Sequence, residues 1–293
     1  MWSLSECITW MTVGLAEFVA IVTLNFCTII VFIRNRNLRK RSMYLVINLA
    51  VIDMFVAGNA VYHLFYWPGI HCNLWNRNSE VSTIIYVLML FGPGSLINIA
   101  FIALERMHAT FCPFRHRVLK KWVYLLMIVA VWVTSGLLVI AYMFLVQFDY
   151  YYGRCLYFTY ISISLLIICV SYSAIVIKIR YGAQPQHHGA ASRERKLTMT
   201  LLIVTVVSLL FCLPHVIWNY VLIISKSEIT QSLSLLVAYD LDHASVVLIH
   251  ANSLVNPILY TMRMPEFRSA LLALLCKRPQ QQRQVAVFPL RGM

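Results

Sequence analysis

The chain has 293 residues, 60% of them hydrophobic and 12% charged, and a formal net charge of +13 at pH 7. A soluble domain is about 25% charged and less apolar, so this composition excludes an ordinary soluble protein and indicates a membrane protein. The basic residues lie in short stretches beside long apolar segments, so the positive charge does not indicate a nucleic-acid partner.

Seven apolar segments are long enough to cross a bilayer, which takes about 20 helical residues each. In chain order, span one to span seven cover residues 11–33, 43–66, 81–105, 122–146, 156–178, 197–224 and 234–262. Residues 264–276 follow with an apolar stripe at helical spacing, which predicts an amphipathic helix on the inner membrane surface. The predicted fold is an all-α membrane protein, a seven-transmembrane helix bundle plus this short helix.

The connections between the spans are short, so residues 1–276 are predicted to form one domain. Residues 277–293 are short, polar and rich in Gln, and are predicted to be a disordered cytoplasmic tail. Cys276, at the end of the amphipathic segment, is a candidate palmitoylation site, with an unmodified thiol as the alternative.

Charge predicts the orientation of the bundle. Of the 24 Lys and Arg, 21 lie in residues 34–41, 105–121, 178–196 and 263–293. The side of a membrane protein that is rich in Lys and Arg faces the cytoplasm. An odd number of spans then places the N-terminus outside the cell and the C-terminus inside.

Several polar side chains lie in the spans, where their burial is costly and usually marks function. Asp53 is near the middle of span two, Ser95 lies at a similar depth in span three, and Asn252 and Asn256 share one face of span seven with Ser253 as neighbour. These oxygen ligands and one negative charge suit a small hard cation. The alternative is a hydrogen-bonded polar cluster that holds the spans together.

Short motifs in all seven spans resemble those of the rhodopsin-like (class A) G-protein-coupled receptors, and the resemblance covers nearly the whole chain. They are Asn25, "NLAVID" (Asn48–Asp53), "ERM" (Glu105–Met107), Trp132, Tyr172, Pro214 and "NPILY" (Asn256–Tyr260).

The resemblance implies a plasma-membrane receptor, not an enzyme, that passes an extracellular signal to heterotrimeric G proteins. It implies a sodium ion at Asp53 and an ion pair between Arg106 and Glu194, with a solvated Glu194 as the alternative. It implies that the activation switch consists of Glu105, Arg106, Tyr172, Glu194, Pro214, Pro257 and Tyr260.

Two of the departures of the chain from this family bear on its switch and its disulfide. Phe211 and Cys212 stand where span six usually carries Cys-Trp, so the tryptophan switch is missing. Val81 stands where span three usually has its disulfide cysteine. The predicted disulfide is therefore Cys72–Cys155, with Cys7–Cys72 as the alternative.

The nature of the ligand stays open. Leu88 stands where amine receptors keep an aspartate, which argues against an amine. A weaker resemblance to adenosine receptors implies that Tyr157, Asn219 and His250 bind a nucleoside, whereas melanocortin receptors also lack the span-three cysteine. A peptide or other small molecule, or no diffusible ligand, are the other hypotheses.

Two other classes of membrane protein compete with a receptor. A transporter or channel would show inverted repeats or paired broken helices, and neither is evident in the sequence. A membrane enzyme would need a catalytic motif, and the chain has no His-Glu-x-x-His and no Gly-x-Ser-x-Gly. No cofactor is expected apart from a possible allosteric sodium ion.

Overall fold

The structure is a computed structural model that describes residues 3–38, 43–76, 91–181, 190–224 and 235–275. Every regular element in these residues is a helix, which confirms the predicted all-α fold. The predicted tail (residues 277–293), Cys276 and Leu88 lie outside the described residues.

The seven long helices of the described residues stand where the seven spans were predicted. They are Leu4–Arg34, Met43–Val61, Phe91–Phe111, Lys121–Val146, Tyr150–Tyr181, Ala190–Ile224 and Leu235–Arg263. The second continues through a π-helical turn, Tyr62–Tyr66, into the short helix Trp67–His71. A short helix, Pro113–Val118, connects spans three and four, and Pro265–Leu275 is the predicted amphipathic helix.

Within the described residues, five helices are each long and apolar enough to cross a membrane. They are Leu4–Arg34, Met43–His71, Lys121–Val146, Tyr150–Tyr181 and Val206–Ile224. Span three is described only from Phe91, and span seven is less apolar because His250, Asn252 and Asn256 interrupt it. The face of span four that points away from the bundle is apolar. Leu137 is 61% exposed and Ile140 66% exposed, as expected for side chains that face lipid.

Span one begins seven residues earlier than predicted because Ser3 and Glu6 form a capping box. The Ser3 hydroxyl accepts from the Glu6 N–H at 3.3 Å, and the Glu6 carboxylate accepts from the Ser3 N–H at 2.6 Å. Each contact satisfies a backbone donor of the first turn. The extra turns carry the helix outward, beyond the predicted limit of the span.

The early start of span one determines which cysteine forms a disulfide with Cys72. It places Cys7 beside the end of span two, where it bonds Cys72 with the Cα atoms 6.6 Å apart. The predicted Cys72–Cys155 pairing is therefore wrong, and Cys155 is a half-buried free thiol. Close contact between spans one and two supports the pairing, because a Cβ added to Gly14 would lie 2.5 Å from the Leu64 Cβ.

Apolar clusters fill the bundle around its polar centre, and the two largest lie in its inner and outer parts. The inner cluster includes Leu49, Ile102 and Tyr172, and the outer cluster packs Phe158 and Ile161 against span six. Asp53 and its polar neighbours lie among these buried side chains. The clusters hold the helices in place, so the polar groups between them have fixed partners.

Candidate functional site

The buried carboxylate of Asp53 is the centre of a polar cluster in the middle of the bundle. Its side chain is fully buried, and spans three and seven supply its partners. Oδ1 accepts from the Ser95 hydroxyl at 2.7 Å and from the Ser253 hydroxyl at 3.0 Å, and Oδ2 accepts from Asn256 Nδ2 at 2.9 Å. Spans two, three and seven are thus joined through one carboxylate.

The donor set of this cluster fits a small hard cation. Within the described residues, the amide oxygens of Asn252 and Asn256 are buried and accept no hydrogen bond. Amide oxygens, carboxylates and hydroxyls are the ligands that hard cations prefer. All three neighbours of Asp53 are neutral, so the negative charge has no compensating partner in the cluster.

Asn25 supports the cluster from span one. Its Nδ2 donates to the Ser253 carbonyl and to the Ile21 carbonyl, each at 3.0 Å. The first contact fixes the position of the turn of span seven that carries Ser253. The asparagine that the sequence singled out in span one therefore acts on the cluster through the backbone.

A second polar network is centred on Asn98, which the sequence analysis missed, one turn further along span three. Asn98 accepts from Asn48 Nδ2 at 2.9 Å and donates to the Leu45 carbonyl at 2.9 Å. Trp132 Nε1 in span four donates to Asn48 Oδ1 at 3.2 Å. Asn98 could have been found, because it lies three residues after Ser95 and so shares its helical face.

The guanidinium of Arg106 is fully buried at the inner end of span three. Nε and Nη2 donate to the carboxylate of Glu105. That carboxylate also accepts from His116 Nε2 at 2.7 Å and from the Tyr124 hydroxyl at 3.1 Å. Three groups, one each from span three, the connecting helix and span four, thus surround the carboxylate that pairs with the buried Arg106.

The predicted partner of Arg106 in span six is Glu194. This residue lies in the helix Ala190–Ile224, but its side chain is outside the described residues. The sequence analysis missed His116 and Tyr124, because neither belongs to a recognised motif and only the packed loop brings them to Glu105.

The other predicted switch residues surround this inner region. Tyr172 and Tyr260 are buried in the inner apolar cluster, and the Tyr260 ring contacts Phe267 of the amphipathic helix at 6.0 Å between centroids. Pro257 is buried within span seven, and Pro214 lies on an exposed face of span six. Each proline removes a helical hydrogen bond and creates a point where its helix can bend.

A cavity of about 510 Å³ occupies the outer half of the bundle, between spans two, three, five, six and seven. Its lining includes the three described residues that the sequence predicted for ligand binding: Tyr157, Asn219 and His250. Ser95 and Ser253 also line it, so the cavity reaches the Asp53 cluster. Cys212, which stands in the position of the missing tryptophan, also lines the cavity.

The amide of Asn219 is already engaged within the protein. Its oxygen accepts from Arg154 Nη2 at 2.7 Å, and its Nδ2 donates to the His215 carbonyl at 2.9 Å. His250 lies deeper, with its Nδ1 3.9 Å from the Glu17 carboxylate. Arg154 and His215 were not predicted, because both lie outside the motifs that the sequence analysis used.

Comparisons with known proteins agree with this arrangement. Residues 24–260 match the model of the family described as 7 transmembrane receptor (rhodopsin family). The somatostatin receptor type 5 of Rattus norvegicus is 28% identical over 289 residues, which covers 87% of this chain and 74% of that receptor.

Proposed function

This chain belongs to the rhodopsin family of seven-transmembrane receptors, and from that premise we propose that a peptide is the ligand that enters its outer cavity. As a member of this family it is a multi-pass protein of the plasma membrane and a receptor rather than an enzyme. It binds a ligand and signals through G proteins.

Two observations favour a peptide over a nucleoside. The similar rat protein is by its name a receptor for somatostatin, a peptide. The amide of Asn219, the expected partner of a purine, is committed to Arg154 and to the His215 backbone. A nucleoside would find one acceptor site of this amide occupied by a charged donor and one of its N–H groups occupied by the backbone.

The proposed signalling path has an outer cavity, a polar centre and an inner switch. The observation that best supports this path is that the cavity reaches the Asp53 cluster through Ser95. Ser95 lies on the same helix as the buried Arg106. A ligand that moves span three relative to span seven changes the contacts of Asp53. The inner end of span three then moves with it, and Arg106 becomes available to the G protein.

The proposed orientation follows from the distribution of charge. Most Lys and Arg lie beside the inner end of the bundle, which contains Arg106 and the amphipathic helix. By the positive-inside rule this end is cytoplasmic, and the cavity faces the outside of the cell. The G protein therefore binds at the end of the bundle that contains Arg106, and the ligand enters the cavity from the opposite end.

We expect the Arg106→Gln variant to reduce ligand-dependent G-protein activation at least about tenfold at equal surface expression, since a neutral amide cannot replace a charged donor. The measurement uses cells with several G-protein biosensors and a peptide panel that includes somatostatin. The matched control is Arg268→Gln, which changes an exposed arginine of the amphipathic helix and should leave the response unchanged. Equal responses from the Arg106 variant and the unmodified receptor would contradict the proposed role of Arg106.

A sodium ion is proposed at the Asp53 cluster, held by Asp53, Ser95, Asn252, Ser253 and Asn256. When bound, it supplies the positive charge that Asp53 lacks. We expect the melting temperature of the purified receptor to be higher in sodium chloride than in N-methylglucamine chloride, because an ion that binds only the folded state stabilises it.

The Asp53→Asn variant should lose this difference between the two salts. The readout is the dependence on sodium rather than the melting temperature itself, because removing a buried charge alters stability by other routes. Glu17→Gln is the control, since it neutralises a buried carboxylate outside the cluster and should keep the sodium effect. A sodium effect that persists in Asp53→Asn would place the ion elsewhere.

A further inference from the structure

Two opposite charges line the cavity from facing helices. Arg154 is in span five and Asp242 is in span seven, and among the described lining residues they are the formally charged side chains. Neither forms an ion pair in the described part of the chain, although Arg154 is an electrostatic neighbour of Asp242. Partly buried charges without ionic partners are costly, so a ligand that pairs with both would recover that cost.

The Arg154 side chain has hydrogen-bonding capacity to spare. It donates one N–H to Asn219 at 2.7 Å, and its guanidinium lies over the Tyr150 ring at 5.7 Å. A guanidinium carries five N–H donors, so others remain for a second partner. Its planar arrangement of donors matches a carboxylate, which can accept two parallel hydrogen bonds.

A chain of hydrogen bonds holds the two charged positions in a fixed relation. The chain of hydrogen bonds starts at Asn219, which accepts from Arg154 and donates to the backbone carbonyl of His215. The ring of the same histidine continues the chain. His215 Nδ1 lies 3.0 Å from the Ser245 hydroxyl, and that hydroxyl donates to the Asp242 carbonyl at 2.7 Å. Because the Ser245 proton is used in this way, its oxygen accepts from His215. The chain links spans five, six and seven, so the Arg154 side chain and the backbone of Asp242 are held in place before a ligand arrives.

The remaining wall offers apolar and aromatic surface. Tyr157, Phe158 and Trp218 line the cavity beside these charges. The volume of about 510 Å³ lies within the range of about 300–1,000 Å³ that is usual for small-ligand sites. It therefore suits a ligand of a few residues, whose side chains would contact the aromatic rings.

We propose that the cavity recognises a short zwitterionic peptide, with its free carboxylate at Arg154 and its free ammonium group at Asp242. This assignment rests on the proposed function and names the chemical class of its ligand. A peptide blocked at one end would leave one of the two charges in the cavity without its ionic partner. Recognition of both ends of the peptide also explains why one basic and one acidic side chain line the same cavity.

The test uses three tripeptide libraries and the purified full chain in detergent. One library has both termini free, the second is N-acetylated and the third is C-amidated. Thermal unfolding is followed by the fluorescence of the seven tryptophans. We expect the free library to raise the melting temperature by at least about 2 °C, because ligand binding stabilises the folded state, and each blocked library to give little or no increase.

Single substitutions then assign each charge. With Asp242→Asn the free and N-acetylated libraries should act equally, and with Arg154→Gln the free and C-amidated libraries should act equally. The controls are Asp149→Asn and Arg180→Gln, which change exposed residues outside the cavity lining and should preserve the discrimination. If no library stabilises the receptor, or if all three do so equally, the proposal is wrong.

This experiment does not depend on G proteins, so it separates the two proposals. Stabilisation by the free library without biosensor activation would support the ligand class and oppose the proposed signalling path. Arg106-dependent activation together with equal effects of all libraries would support the path and overturn the zwitterionic ligand.

Discussion

We expect the Glu105→Gln variant to raise ligand-independent nucleotide exchange on the G protein about tenfold at equal surface expression. In the structure, Glu105 neutralises the buried guanidinium of Arg106, and burial keeps that guanidinium from any cytoplasmic partner. Removing one partner of a buried ion pair costs about 3–5 kcal/mol. The inactive state is the one in which Arg106 is buried. If half of that cost falls on the inactive state alone, the equilibrium between the inactive and active states shifts more than tenfold toward the active state.

The contacts around Glu105 provide a graded series. His116→Gln and Tyr124→Phe each weaken or remove one hydrogen bond to the carboxylate but leave Arg106 and Glu105 in place. A hydrogen bond to a charged group contributes about 1.5–3 kcal/mol, and losing about half of the lower figure from the inactive state alone should raise basal exchange about threefold. Glu266→Gln, at an exposed carboxylate of the amphipathic helix, is the control. If Glu105→Gln leaves basal exchange at the unmodified level, these contacts do not restrain Arg106.

Loss of the Cys7–Cys72 disulfide is the second large effect that we expect. The bond closes a loop with a sequence separation of 65 residues and ties span one to the end of span two. Removing a native disulfide typically costs about 2–5 kcal/mol of stability. The Cys7→Ser variant should therefore show a melting temperature several degrees lower in detergent and reduced surface expression.

The Cys155→Ser variant tests whether Cys72 is bonded to Cys7 or, as the sequence favoured, to Cys155. Cys155 is a free thiol in the structure, so its replacement should leave the melting temperature and surface expression unchanged. Mass spectrometry of a non-reduced digest should find Cys7 joined to Cys72. A Cys72–Cys155 peptide in that digest, or an equal loss of stability in both variants, would contradict the disulfide of the structure.

Helix positions and receptor class were predictable because they depend on local patterns. The long apolar segments and the short basic stretches between them predicted spans whose helices the structure describes. Motifs such as Asn48–Asp53 and Asn256–Tyr260 indicated the family that the comparison then showed. The approach of Asp53, Ser95 and Asn256 was likewise expected, because depth and helical phase can be counted along a chain.

Pairings between distant segments depended on packing that no local pattern encodes. The capping box at Ser3 lengthened span one by seven residues, and this brought Cys7 rather than Cys155 to Cys72. His116 and Tyr124 reached Glu105 only because the connecting helix folds back against spans three and four.

The cavity shows the same division between local pattern and tertiary structure. The sequence by itself determined which residues are buried in the membrane and which side chains are polar there. Only the tertiary structure decided that Asn219 is committed to Arg154, and that Asp242 shares the cavity wall with that arginine. The physical reason is that side-chain contacts depend on helix rotation and on where each helix ends, and a shift of one residue rotates a side chain by roughly 100° around its helix.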